Sequence, residues 1–231
     1  MELLHTTMTA LGLLLAGDAT LWGAIYISVK VCFLALLLAS PPSILLGFVL
    51  ASYNFPGRRL LIVAVQTLLA LPTVVVGLIL YMLLSRQGPF GEMQLLFTQQ
   101  AMVIGQAILA FPILAALTLS AVQGVDSRVA ETARTLGASR FRTALTMLLE
   151  VRFAVMGAMM NGFGRVISEI GCAMMVGGNI AGLTRNITTA IALETSKGEF
   201  VQGIALGIVL VIIALAINFG MALLQGRGGL R

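Results

Sequence analysis

Residues 201–225 read VQGIALGIVLVIIALAINFGMALLQ, an apolar run without a single Asp, Glu, Lys or Arg. Crossing the hydrocarbon core of a bilayer takes roughly 20 apolar residues in a helix. A helix is required there because no water satisfies backbone N–H and C=O groups. Comparable runs lie near 23–52, 60–85, 101–122 and 153–177, so the sequence predicts about five membrane-spanning helices. Pro41 and Pro42 interrupt the first run, which is expected to kink or to extend past the bilayer. Pro72 and Pro112 lie inside the second and third runs, where neighbouring helices can re-satisfy the freed backbone.

The composition agrees. Of 231 residues, 59% are hydrophobic and 10% charged, with a mean hydropathy of +1.03. Soluble domains carry about 45–50% apolar and about 25% charged residues. So little charge could not clothe a water-soluble surface, and the excess apolar surface must face lipid. The expected fold class is an all-α membrane protein. A net charge of +5 calls for no nucleic-acid partner, because arginines flanking spans give the same balance. Cys32 and Cys172 sit in apolar stretches without paired spacing and read as small buried residues. His5 has no companions for a metal site, so no metal is expected.

Charge asymmetry sets the expected orientation. Arg58 and Arg59 occupy the first connection; Arg128, Arg134, Arg140, Arg142 and Arg152 the third; Arg227 and Arg231 the C-terminus. Lys30, Arg86, Arg185 and Lys197 are the sparser cations of the opposite side. The positive-inside rule then places the C-terminus in the cytoplasm and the N-terminus outside, which an odd number of spans requires. The N-terminus lacks the basic region of a signal peptide, and its apolar run ends at Gly17-Asp18. The expected division is an external lead-in at 1–20, a transmembrane domain at 21–225 and a cytoplasmic tail at 226–231. Ser85–Gln100 and Gly178–Phe200 read as external loops.

The connection at 123–152 is too long and too basic for a turn. Asp126 or Ser127 can cap a helix whose first turn carries Glu131, and Gly137 can end it in a left-handed conformation. A second short helix then re-enters the membrane through Leu145–Leu149. The expected shape is an elbow on the cytoplasmic face. From charge alone, it could equally be a basic loop that anchors its neighbours.

The elbow resembles the EAA loop of ABC importer permeases, written E-A-A, three residues, Gly, nine residues, I-x-L-P. Glu131, Ala133, Gly137 and Leu149 match, and Met147 stands at the isoleucine position. Thr132 and Glu150 depart from the usual alanine and proline. The resemblance extends over nearly the whole chain, through Leu71–Leu78, Glu131–Ala138 and Ile167–Gly171. It continues through Met175–Ile180, Gly182–Arg185 and Thr188–Thr195. It is to the molybdate and tungstate permeases, with the C-terminal third nearer the tungstate uptake group.

This resemblance implies a type I importer permease fold in the bacterial inner membrane and a chain that does no covalent chemistry. It implies a homodimer, two ATP-binding subunits and an external substrate-binding protein as partners. No cofactor belongs to this chain, because ATP and Mg would bind the partner ATPase; the chain has no G-x-x-x-x-G-K-[ST] phosphate loop. The residues implied in ATPase coupling are Ala130, Glu131, Thr132, Ala133, Arg134, Gly137, Ala138 and Arg140. The implied cargo is an oxyanion, tungstate before molybdate or sulfate.

Arg165 and Glu169 are four apart in an apolar run, so their side chains can meet on one helical face. Intramembrane charges usually face a bundle interior or an aqueous path. Arg165, Ser168, Glu169 and Asn179 are therefore candidates for the translocation path or its gate, with a structural ion pair as the alternative. Gly157, Gly162, Gly164, Gly203 and Gly207 are expected to permit close helix packing. Two other classes of membrane protein make different demands. An ion-coupled secondary transporter would favour internal repeats, and a membrane enzyme would want clustered His, Asp or Cys near one face. The sequence offers neither.

Overall fold

The computed structural model describes Met8, Gly12 and residues 19–225. His5, Gly17-Asp18 and the tail at 226–231 lie outside the described residues, which hold helices, turns and no strand.

Helix α1 spans Ala19–Ser52, α2 Arg58–Leu68, α3 Thr73–Leu84 and α4 Gln99–Gln123. They are followed by α5 (Ser127–Thr135), α6 (Arg140–Glu150), α7 (Arg152–Ile167), α8 (Gly171–Gly177), α9 (Ile187–Ser196) and α10 (Phe200–Gln225). Three helices are long and apolar enough to cross a membrane: α1, α4 and α10 over Phe200–Gly220. Two further candidate spans are bent pairs, α2 with α3 and α6 with α7.

α1 and α4 lie side by side over much of their length. Gly47 allows this, since a Cβ there would stand 2.6 Å from the Ala115 carbonyl oxygen. The core between α1, α4 and α7 is built from Cys32, Ala35, Leu36, Ala39, Ala107, Ala110, Leu114, Ala158, Phe163 and Val166. Small side chains dominate it, as they do where membrane helices approach closely.

Three expectations can be set against these helices. First, α1 is one helix through Pro41 and Pro42, and of the two outcomes expected of this run it is the extension past the bilayer that its length gives. Its 34 residues make about 51 Å of helix at 1.5 Å per residue, well beyond the roughly 30 Å of a hydrocarbon core. Second, the run at 60–85 is not one helix. α2 stops at Leu68, α3 starts at Thr73, and the two differ in direction by 99°. Pro72, which has no N–H to donate, occupies the position before α3 in an extended conformation. Third, 178–200 is not simply a loop. Asn186 accepts the Thr189 N–H at 2.8 Å while Thr189 Oγ1 accepts the Asn186 N–H at 3.1 Å, a reciprocal cap that starts α9. Ser28 Oγ accepts the Ile187 N–H at 2.9 Å and ties that start to α1.

Among the glycines expected at helix contacts, Gly162 faces Leu114 and Leu36 and Gly203 faces Thr195 Oγ1, whereas Gly157, Gly164 and Gly207 face open space. The tightest interhelical approaches are instead at Gly47, Gly77, Gly105, Gly171 and Gly177. Cys32 and Cys172 are buried and free.

Candidate functional site: two facing helix breaks and a basic elbow

Helix α7 ends at Ile167 and α8 starts at Gly171, with a break of three residues between them. Ser168 ends α7, its hydroxyl turned back on the Gly164 carbonyl at 2.9 Å. Glu169 then fills the gap with both carboxylate oxygens. Oε2 accepts from Arg165 Nη1 at 3.0 Å, and Oε1 accepts the Cys172 N–H at 3.1 Å, capping the first turn of α8. The Glu169 side chain is 3% exposed and the Arg165 side chain 45%. The Thr188 hydroxyl lies 2.9 Å from the Glu169 carbonyl, which fastens the N-terminal turn of α9 to the same break.

This break meets the earlier one. A Cβ on Gly171 would stand 2.7 Å from Val74 Cγ2 and 3.0 Å from Thr73 Oγ1, at the start of α3. One on Gly77 would stand 2.9 Å from Cys172 Cα. Pro72–Thr73 and Glu169–Gly171 therefore abut through glycine-sized gaps. Arg165, on its other side, faces a groove of about 860 Å³, lined also by Leu69 of the α2–α3 turn, by Phe153 and Asn161 of α7, and by Asn218 of α10. Glu169 fixes one edge of the guanidinium and leaves the rest available on the groove side. The Asn161 amide nitrogen donates to the Gly157 carbonyl at 2.9 Å and that of Asn218 to the Ala214 carbonyl at 2.7 Å, so each is tied to its own helix and the guanidinium is the group in this groove that can hold an oxyanion by charge-assisted hydrogen bonds.

Arg165, Ser168 and Glu169 are thus gathered at one place. Asn179 is not with them. It lies beyond the other end of α8, at φ 51°, and its Oδ1 accepts from Arg185 Nε at 3.2 Å. Sequence reasoning passed over Asn161 and Asn218. Asn161 stands one turn before Arg165 on α7, so helical spacing carried the signal; Asn218 is an isolated amide in an apolar run and carried none.

The elbow takes its expected shape. Asp126 Oδ1 accepts the Arg128 N–H at 2.9 Å and starts α5. Gly137, at φ +82°, ends it. The Gly137 N–H donates to the Arg134 carbonyl and the Ala138 N–H to the Ala133 carbonyl, each at 3.0 Å, the paired bonds of a Schellman turn. Ser139 then caps α6 by accepting the Arg142 N–H at 3.3 Å. Ala133 is buried, Ala130 and Ala138 are half-buried, and Glu131, Thr132, Arg134 and Arg140 are exposed. Leu136 and Phe141, unremarked in the sequence, are 82% and 77% exposed and flank the turn. Beside them is a depression of about 510 Å³ that includes Thr132, Ala133, Leu136 and Ala138. α6 meets α7 at a 61° bend. The described residues hold no cluster of His, Cys, Asp or Glu fit for a metal ion.

Three long apolar helices, shorter helices that break against each other beside a half-exposed ion pair, and a capped basic elbow are the architecture of an integral membrane protein. The chain belongs to the family of binding-protein-dependent transport system inner membrane components, whose model matches residues 43–227. It is 43% identical to the tungstate uptake system permease protein TupB of Campylobacter jejuni, over 91% of this chain and 88% of that protein. It is 40% identical to TupB of Peptoclostridium acidaminophilum, over 90% and 92% respectively. Against the molybdenum transport system permease protein ModB of Escherichia coli the identity is 33%, over 77% and 82%. The fold matches a crystal structure of an amino acid ABC transporter with a TM-score of 0.67 at 16% identity, covering 93% of this chain and 96% of that one. The family read from Glu131–Gly137 and the C-terminal third is borne out.

Proposed function

We propose that the chain is the transmembrane subunit of an ATP-driven importer that carries tungstate across the bacterial inner membrane. The observation that carries this reading is the 43% identity, across nine-tenths of the chain, to a tungstate uptake permease. The 33% identity to a molybdenum permease favours tungstate over molybdate, and the sulfate permease CysT of Escherichia coli is lower still, at 28%.

In this reading five spans, two of them bent, place the N-terminus outside and the C-terminal tail in the cytoplasm. Two copies form the pathway. An external binding protein delivers the dianion, and two ATPase subunits, which bind ATP and Mg, dock on the elbow at 123–152. Glu131, Thr132, Arg134 and Arg140 offer polar contacts there, and Leu136 and Phe141 offer apolar ones. A rigid, doubly capped elbow transmits displacement, where a flexible loop would absorb it. Arg165, Ser168 and Glu169 line or gate the path at the facing breaks, and Asn179 shapes the outer loop through Arg185.

The substrate is tested by uptake into vesicles holding the permease and its ATPase, supplied with the binding protein and ATP. Accumulation of tungstate resisting a tenfold excess of sulfate (about 1.4 kcal/mol of discrimination) is expected. Preference for molybdate would transfer the assignment to that anion, and accumulation without ATP would favour an ion-coupled carrier.

A further inference from the structure

Lys30 is exposed on α1, in a stretch built mostly of apolar side chains. Its ammonium group donates to Gln99 Oε1 at 2.9 Å and lies 5.6 Å from the centre of the Tyr26 ring. Among the described residues no carboxylate pairs with it. Gln99 opens α4, and its amide donates in turn to the Leu183 carbonyl at 2.7 Å. Lys30 thus sits level with the end of one span. Exposed Trp22 and Tyr26 lie on the preceding turns of α1, the residue types that mark a membrane–water boundary.

From Lys30 a groove of about 760 Å³ descends between α1 and α4. Its walls away from Lys30 are Leu34, Leu37, Leu38, Val103 and Ile104. We propose that this groove holds an anionic phospholipid, with its phosphate on Lys30 and an acyl chain along the leucines. A small oxyanion is a poor fit, because no second cation lines the groove, and of its polar residues the Thr98 hydroxyl already donates to the Leu95 carbonyl and the Gln99 amide to the Leu183 carbonyl, leaving Gln100 beside Lys30. A partner helix that covered the leucines would have to bring its own counter-charge for the ammonium. A phospholipid supplies both halves. A lysine that merely snorkelled to the interface would need no groove beneath it.

The test is titration of the full-length chain in mild detergent with phosphatidylglycerol or phosphatidylcholine, with bound lipid counted by native mass spectrometry. Phosphatidylglycerol should bind more tightly. Lys30→Gln should weaken it up to about fivefold, the upper range for one exposed ion pair, and leave phosphatidylcholine unchanged. Val103→Trp, which fills the groove, should weaken both. Undiminished phosphatidylglycerol binding by Lys30→Gln would overturn the proposal even if Val103→Trp failed to fold. So would displacement of the lipid by inorganic phosphate, which would mark a free-anion site. Efficient cross-linking of Leu37→Cys chains to each other in native membranes would overturn it in favour of a second copy.

Discussion

Arg165 and Glu169 are joined across 3.0 Å, yet one side chain is nearly half exposed and the other almost wholly buried. The carboxylate is the anchored partner, held also by the Cys172 N–H. Removing the cation strands a buried charge, a loss that costs about 3–5 kcal/mol in fully buried pairs and less here because Arg165 reaches the groove. Arg165→Ala should therefore lower membrane yield and unfolding temperature. Adding Glu169→Gln, which keeps an acceptor for Cys172, should restore part of the loss, with a coupling of about 1 kcal/mol or more. A double-mutant cycle on unfolding temperature and uptake checks this. Single variants silent in both would remove the gate and the structural-pair readings together.

The abutting breaks predict a contrast between glycines. Gly171→Ala pushes a methyl group into Val74 and Thr73 and should destabilise by about 1–3 kcal/mol, the usual range for overpacking. Gly207→Ala meets open space and should leave stability within about 0.5 kcal/mol. Equal effects in thermal unfolding would mean the two breaks do not pack as described.

Topology gives a third test. Reporter fusions at Gly17 and Gly226 should mark the exterior and the cytoplasm respectively, following the arginine bias. Both reporters on one side of the membrane would rule out five spans.

The long helices were legible because uninterrupted hydrophobicity is local information: α1, α4 and α10 follow from their residues alone. So were the elbow's ends, where Asp126, Gly137 and Ser139 act on backbone groups a few positions away. The breaks were less so. Pro72 announced a perturbation, but not that α3 would turn by 99°. The break at Ser168–Ile170 contains no proline, and its cap is Glu169, which read equally well as a gate residue. The tight gap at Gly171 depends on Val74, far away in the chain, so no window of sequence contains it. α9 was missed because its β-branched first turn, Ile187-Thr188-Thr189, argues weakly for helix, and tertiary burial outweighs that preference.

In the proposed function the elbow at Glu131–Gly137 couples ATP hydrolysis to transport without touching the cargo. Gly137 has no neighbour within 4 Å of an added Cβ, so Gly137→Val acts through backbone strain alone, about 1–2 kcal/mol at positive φ. The decisive measurement is tungstate uptake together with stimulated ATP hydrolysis in vesicles holding the Gly137→Val permease and its ATPase. The variant chain should still insert in the membrane but lose both activities, while tungstate capture by the external binding protein is unchanged. Wild-type uptake and ATPase rates in that variant would contradict it.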